Sequence, residues 1–374
     1  MDVRHAHDTD IYAVRACPHE DGADLVAIGG AHSVEVLLVT PTSSKLIANF
    51  HVGTRITTLA WSSKVASPSM SDAWSVEIAA AGENFGLFLL TKSAKSMEYV
   101  FSFGGGLSGH HGKVNDMCFC GGQGEDSARY LATVSDDKML MVWDLTPDID
   151  IPSLGSPDPN TELTSEFDRP QPTALVSPFP YPLTSVTSHP TTSKELLVAD
   201  CRGSIFLTDW RKDPDENAFE SWRGASIVEL VDPRAFVDTS MGISAKSPGS
   251  VSWRRDRPNI IGASYGTTFS IWDLTDLHGG KPNITGVSFP DGSAQFKWCP
   301  TYPDYFAISS RSPTKGAVIH VHNIQNPHGP LASFSMANGP LYVRAFDFLA
   351  ARGVPRIAAA VGRQVVILYI GDES

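Results

Sequence analysis

The sequence predicts an all-β chain, folded as a single seven-bladed β-propeller domain over residues 1–374. The first observation behind this is a chain of short runs rich in Val, Ile, Leu, Phe and Thr, separated by Gly, Pro, Asp and Ser clusters, with almost no sustained helical period. The second is recurrence: an apolar strand often holding Trp or Phe, a loop, a small-residue strand, a turn, then a strongly apolar strand. The third is size, since 374 residues with 42% hydrophobic content bury a large core without help from disulfides or metal.

The units can be followed in order. IYAVRACP, LVAIGGA and VEVLLV make a faint first copy; TTLAWSS, IAAAGEN and GLFLLT make a clear second. VNDMCFC, LATVSDD and MLMVWDL form the third, and TSVTSHP, LLVADCRG and SIFLTDW the fourth. GSVSWRR, IIGASYG and TFSIWDL follow, then AQFKWCP, YFAISS and AVIHVHN, and last the fainter YVRAFDF, IAAAVG and QVVILYI. That is about seven units at the ~40 to 45 residue period of a propeller blade. One such sheet cannot bury both faces alone, so the units must stack into a ring.

Two stretches break the rhythm. Residues 146–172 are rich in Pro and acid and poor in apolar residues, which predicts an exposed loop between blades. Residues 211–248 predict an interblade insertion whose DPDENAFESWRG forms a short helix with Phe219 and Trp222 on one side. That aromatic pair is a candidate docking point or packs on its own blade.

In a WD-repeat blade, a His before the innermost strand, a Ser or Thr on the second, an Asp in the next turn and a Trp on the third form a buried hydrogen-bond chain. His110, Thr133, Asp137 and Trp143 stand at those offsets. A His–Asp pair is also part of a catalytic dyad, but Asp137 belongs to a turn and no nucleophile stands at a matching offset, so the set reads as structural. The other units lack it: Gly266 replaces the turn Asp before Trp272, and Thr208-Asp209 replaces the Trp-Asp pair.

Several sharper readings fail on spacing. In GGGLSGHHGK, residues 104–113, Lys113 precedes Val114 rather than Ser or Thr, and a strand follows rather than a helix, so the segment is a turn between blades and not a phosphate cradle. His320 with His322, and Cys118 with Cys120, share strand faces but lack a third ligand at zinc spacing; no cofactor or metal is expected. His5 to Asp8 is either a loose terminus or a strand that closes the ring. The formal charge of -12 and the lack of any Lys/Arg cluster along the chain argue against direct nucleic-acid binding. Five irregularly spaced cysteines and a polar start predict a reduced, intracellular protein. No apolar run reaches the ~18 to 20 residues needed to span a bilayer, so no membrane insertion is expected.

The chain resembles the family of small, thirty-seven-kilodalton WD-repeat nucleoporins of the Y-shaped outer-ring complex of the nuclear pore. The resemblance runs in order from about Asp24 to the C-terminus. LVAIGGAHSVEVLLV is followed by FHVGTRITTLAWS, by the well-formed third repeat, and by PGSVSWRRDRPNIIGASYGTTFSIWDLT, AQFKWCPTYPDYFAIS and VIHVHNIQNPHGPL. The two insertions depart from shorter animal members and suggest a fungal type. The resemblance implies a non-enzymatic scaffold at the nuclear envelope, bound to the large outer-ring nucleoporin and through it to other outer-ring nucleoporins. The alternative is a WD-repeat adaptor that presents substrates to a ubiquitin ligase or chromatin complex, which would carry a peptide pocket on one face of the ring.

Overall fold

The computed structural model describes residues 2–122, 124–147, 170–211, 227–234, 237, 249–277, 279–329 and 331–371. Among them, 28 strands form seven four-stranded antiparallel sheets. The chain begins with β1 (Val3–Ala6), which belongs to the last blade. Blade one is β2 (Ala13–Ala16), β3 (Leu25–Gly29), β4 (Ser33–Val39) and β5 (Ser44–His51). Blade two is β6 (Ile56–Trp61), β7 (Ser75–Gly82), β8 (Leu87–Ser93) and β9 (Tyr99–Phe103). Blade three follows with β10 (Val114–Phe119), β11 (Tyr130–Ser135), β12 (Met139–Asp144) and β13 (Thr173–Pro178). Blade four holds β14 (Leu183–Ser188), β15 (Glu195–Asp200), β16 (Ser204–Asp209) and β17 (Ile227–Val231). In blade five lie β18 (Ser250–Trp253), β19 (Ile260–Tyr265), β20 (Thr268–Asp273) and β21 (Ile284–Val287). Blade six comprises β22 (Gln295–Trp298), β23 (Tyr305–Ser309), β24 (Ala317–Asn323) and β25 (Ala332–Ala337). Blade seven joins β26 (Val343–Phe348), β27 (Arg356–Val361) and β28 (Gln364–Tyr369) to β1.

The first strand of each blade lines the axis and the fourth lies outermost. The second strands are sandwiched by neighbouring blades on both faces, so they read as continuous small apolar runs rather than alternating ones. Every residue of β27 is buried, and in β7 all but the first. Seven apolar clusters fill the seven gaps between blades. One of them packs Leu25, Val36 and Phe50 of blade one on Ile56, Ile78 and Ala80 of blade two. Another closes the circle, with Val14, Ile28 and Leu37 of blade one against Ala358, Val365 and Ile367 of blade seven.

Of the two readings of His5 to Asp8, the structure shows the closing strand. β1 pairs antiparallel with β28, Val3 opposite Ile367 and Ala6 opposite Gln364, and His7 N donates to Arg363 O at 2.8 Å. The edge of β28 is thereby paired rather than left open for aggregation.

The sequence placed 146–172 and 211–248 between blades; the sheets correct the first, which falls inside blade three, and split the second, which holds the outer strand of blade four before the chain passes to blade five. Thr173 pairs with Asp144, so the first stretch precedes the outer strand of its own sheet. The second stretch contains β17, which pairs with β16. Outer strands were illegible because they are half exposed and keep no regular apolar pattern: only intermediate or exposed positions occur along β13.

Candidate functional site

Four inner strands share a register shift near their start, between Ile56 and Thr58, Val114 and Asp116, Leu183 and Ser185, and Val343 and Ala345. A bulge leaves one residue unpaired and re-aims its side chain. The residues so displaced, Thr57, Asn115, Thr184 and Arg344, all line the same mouth of the axial channel, around a cavity of about 550 Å³. A second cavity of about 490 Å³ opens at the other mouth, and the two meet at Arg15 and Lys297.

The waist of the channel is held by Asp116 on β10. Its carboxylate pairs with Arg15 of β2 and accepts from Ser185 Oγ at 3.0 Å, Val186 N at 3.1 Å, Met117 N at 2.9 Å and Thr58 Oγ1 at 3.4 Å. One side chain thus ties blades one to four. Removal from water works against the Arg15 charge, but the Asp116 and Asp347 carboxylates outweigh it and hold the guanidinium above its ordinary pKa. No sequence signal marked Asp116, whose partners are far away along the chain.

In blade three the four spaced residues lie in one hydrogen-bonded chain. Trp143 Nε1 donates to Thr133 Oγ1 at 3.0 Å, Thr133 Oγ1 lies 2.8 Å from His110 Nε2, and His110 Nδ1 lies 2.9 Å from Asp137 Oδ2. Asp137 also accepts from His111 N at 2.9 Å and Met139 N at 3.0 Å, fixing the turn. Burial lowers the His110 pKa despite Asp137, so the ring is neutral. One proton arrangement then satisfies all four groups: indole N–H to threonine, threonine O–H to Nε2, and Nδ1–H to the carboxylate. Burial would raise the Asp137 pKa, yet the donated N–H groups win and lower it. Gly104 takes φ +60° beside Trp143, and a Cβ there would stand 2.8 Å from the indole. The constellation holds no free nucleophile and fastens two loops to a strand.

The remaining expectations separate. Residues 104–113 join β9 to β10 through a short 3-10 turn, Gly106–Ser108. His320 stacks on Phe289 at 3.8 Å and His322 on Phe306 at 5.0 Å, so both rings are packing elements. Burial, with His320 nearby, takes His322 down to about 4. Among the described residues no group of three or more His, Cys, Asp or Glu is arranged to hold a metal, and all five thiols are free. Phe219 and Trp222 lie outside the described residues. No helix among the described residues is long and apolar enough to cross a membrane.

The seven-sheet ring closed by its own N-terminal strand, with a His–Thr–Asp–Trp chain in one blade, defines a WD-type β-propeller. The chain is similar to nucleoporin Nup37 of Mus musculus, 24% identical over 356 residues that cover 92% of this chain and 91% of that one. Nup37 of Homo sapiens is 24% identical over 340 residues, covering 88% and 86%. Among solved structures, Raptor of Chaetomium thermophilum superposes with a TM-score of 0.65 at 13% identity, over 100% of this chain and 29% of that longer one, which speaks to fold alone. No family model matches the chain. The likeness to a WD-repeat nucleoporin therefore extends over nearly the whole propeller.

Proposed function

We propose that this protein is a non-enzymatic scaffold of the nuclear pore, a fungal-type counterpart of the small WD-repeat nucleoporin. It docks onto the large outer-ring nucleoporin of the Y-shaped complex, supports nucleocytoplasmic transport of protein and mRNA, and resides at the nuclear envelope. The observation that carries this reading is the similarity to Nup37 along nearly the full length of both chains. A closed propeller whose one His–Asp pair among the described residues is occupied by its own fold supports the non-enzymatic part.

The outer strands of blades three to five support contact at blade edges. β13 exposes Leu175 and Val176, β17 exposes Ile227 and β21 exposes Val287, on strands whose outer edges are unpaired in the isolated chain. The interface has an apolar centre and a charged rim, takes up no nucleic acid, and weakens only modestly between low and physiological salt. Binding also raises the stability of the propeller by mass action on the folded state.

Affinity purification of the tagged chain from cells tests the assignment: outer-ring nucleoporins co-purify. Recovery of cullin or chromatin-enzyme subunits in their place would establish the adaptor reading. Calorimetry against the recombinant large nucleoporin then maps the contact. Val287→Asp weakens binding, and Phe219→Ala with Trp222→Ala reports on the insertion.

A further inference from the structure

An acidic chain has gathered six of its 29 basic side chains around one end of its axis. Six of them line the mouth at which the inner strands begin, Arg15, Arg55, Lys113, Lys297, Arg311 and Arg344, against two carboxylates, Asp116 and Asp136. They come from five blades and lie far apart in the sequence, which is why no basic cluster is visible there.

Three of the six are already occupied. Arg15 pairs with Asp116, Arg55 with Glu83, and Arg344 with Asp10 at 2.8 Å. The side chains of Lys113, Lys297 and Arg311 make no hydrogen bond or ion pair among the described residues, although each faces the cavity. Their environment is a buried one. Burial within the mouth, followed by the nearby Arg311 guanidinium, lowers the Lys113 pKa; burial and then Arg15 lower that of Lys297; burial lowers that of Arg311. An arginine keeps its charge at any ordinary pH, so three cations without a bonded carboxylate face one cavity, with Asp136 near Lys113 and Asp347 and Asp116 near Lys297 offsetting them only in part.

The mouth is also stiffened. Arg55 and Arg344 lie over the Tyr12 ring at 5.0 Å and 4.8 Å, and Arg344 lies 5.9 Å from Tyr342. Stacking fixes the guanidinium planes without cancelling their charge. Between the cations, the bulges place Thr57, Asn115 and Thr184 along the same space; their donors are spent on Ala81 O, Leu183 O and Gly249 O, and their oxygens supply uncharged acceptors.

We propose that this mouth binds an acidic peptide segment of a partner protein, with aspartate or glutamate carboxylates on Lys113, Arg311 and Lys297 and the peptide backbone on the bulge side chains. Three unpaired cations on blades three and six, across the channel from one another, suit an extended segment carrying several carboxylates better than a single phosphate. A cavity of about 550 Å³ falls in the range of built binding sites. With a net charge of -12, the rest of the molecule repels such a segment and steers it to the mouth. The site is separate from the blade-edge contact and stands or falls independently of the nucleoporin reading.

Fluorescence polarisation of the full chain with a short fluorescein-labelled peptide rich in aspartate and glutamate tests this, with the asparagine and glutamine counterpart as control. The acidic peptide binds, the neutral one binds at least about tenfold more weakly, and added salt weakens the former. Lys113→Ala with Arg311→Ala lowers affinity by about tenfold or more while the melting temperature stays or rises, because mutual repulsion is relieved. Lys297→Met, inside the channel, gives a second loss, and Arg255→Ala at the opposite mouth gives none. Equal binding of both peptides, or unchanged binding by both cation variants, overturns the proposal. So does a protein that ignores the peptide but binds inorganic tripolyphosphate, which makes the mouth a phosphate site, or a single-stranded oligonucleotide, which makes it a nucleic-acid site.

Discussion

Asp116 of blade three reaches Arg15 of blade one across 101 residues of sequence, at the one level of the channel where the inner strands of four blades share a single carboxylate. Adjacent blades are held by apolar packing, whereas this contact skips a blade and fixes the ring across its axis.

Asp116→Ala therefore takes from Arg15 the carboxylate bonded to it, leaving its hydrogen bond to Leu59 O, and strips acceptors from Ser185 and Val186. The expected loss is roughly 3 kcal/mol in urea unfolding. Replacing both ends, Arg15→Met with Asp116→Leu, should destabilise less than the two single changes added together, because neither charge is then stranded. Strict additivity would show that the pair is uncoupled.

Asp137→Ala removes the end of the chain that begins at Trp143 and orphans the His111 and Met139 amides. A drop of about 1 to 3 kcal/mol in stability follows, with partner binding retained in the cold. An unchanged melting temperature, or lost binding in a fully folded variant, is the result that contradicts a structural role.

His322 titrates at about 4 in the folded chain against an ordinary 6.5, with burial the main cause. The unfolded chain takes up the proton first, so the stability tied to a neutral ring is whole above the ordinary value and is lost as pH falls through that window. Between pH 7 and 5 this amounts to about 2 kcal/mol. His322→Phe keeps the stack on Phe306 and should shrink the difference in melting temperature between those two pH values; His110 adds to the trend in the same direction.

Deleting residues 2–8 removes β1 and bares the β28 edge. The variant should melt earlier and aggregate on standing, as light scattering will show, since an exposed apolar edge strand is a template for other chains.

Excising residues 149–168 should alter the melting temperature little. Asp144 and Thr173 already stand opposite one another, so a shorter connection meets the same ends, and closure entropy changes slowly with loop length.

Three strands of every blade were legible in the sequence, because buried inner, second and third strands leave apolar runs of fixed length between turn residues. So was the single His–Thr–Asp–Trp set, whose partners are drawn from one blade and so keep a regular spacing. The fourth strands were not, since a half-exposed edge such as β13 or β25 has no composition of its own. Tertiary structure alone placed residues 146–172 within blade three, set β17 of the second stretch as the outer strand of blade four, turned His5 into part of a closing strand, tied Asp116 to four blades and collected six cations at one mouth. The reason is geometric: hydrophobic period is a property of neighbours along the chain, whereas a ring brings the same position of every blade to one axis, and charges scattered over more than 300 residues meet only when it closes.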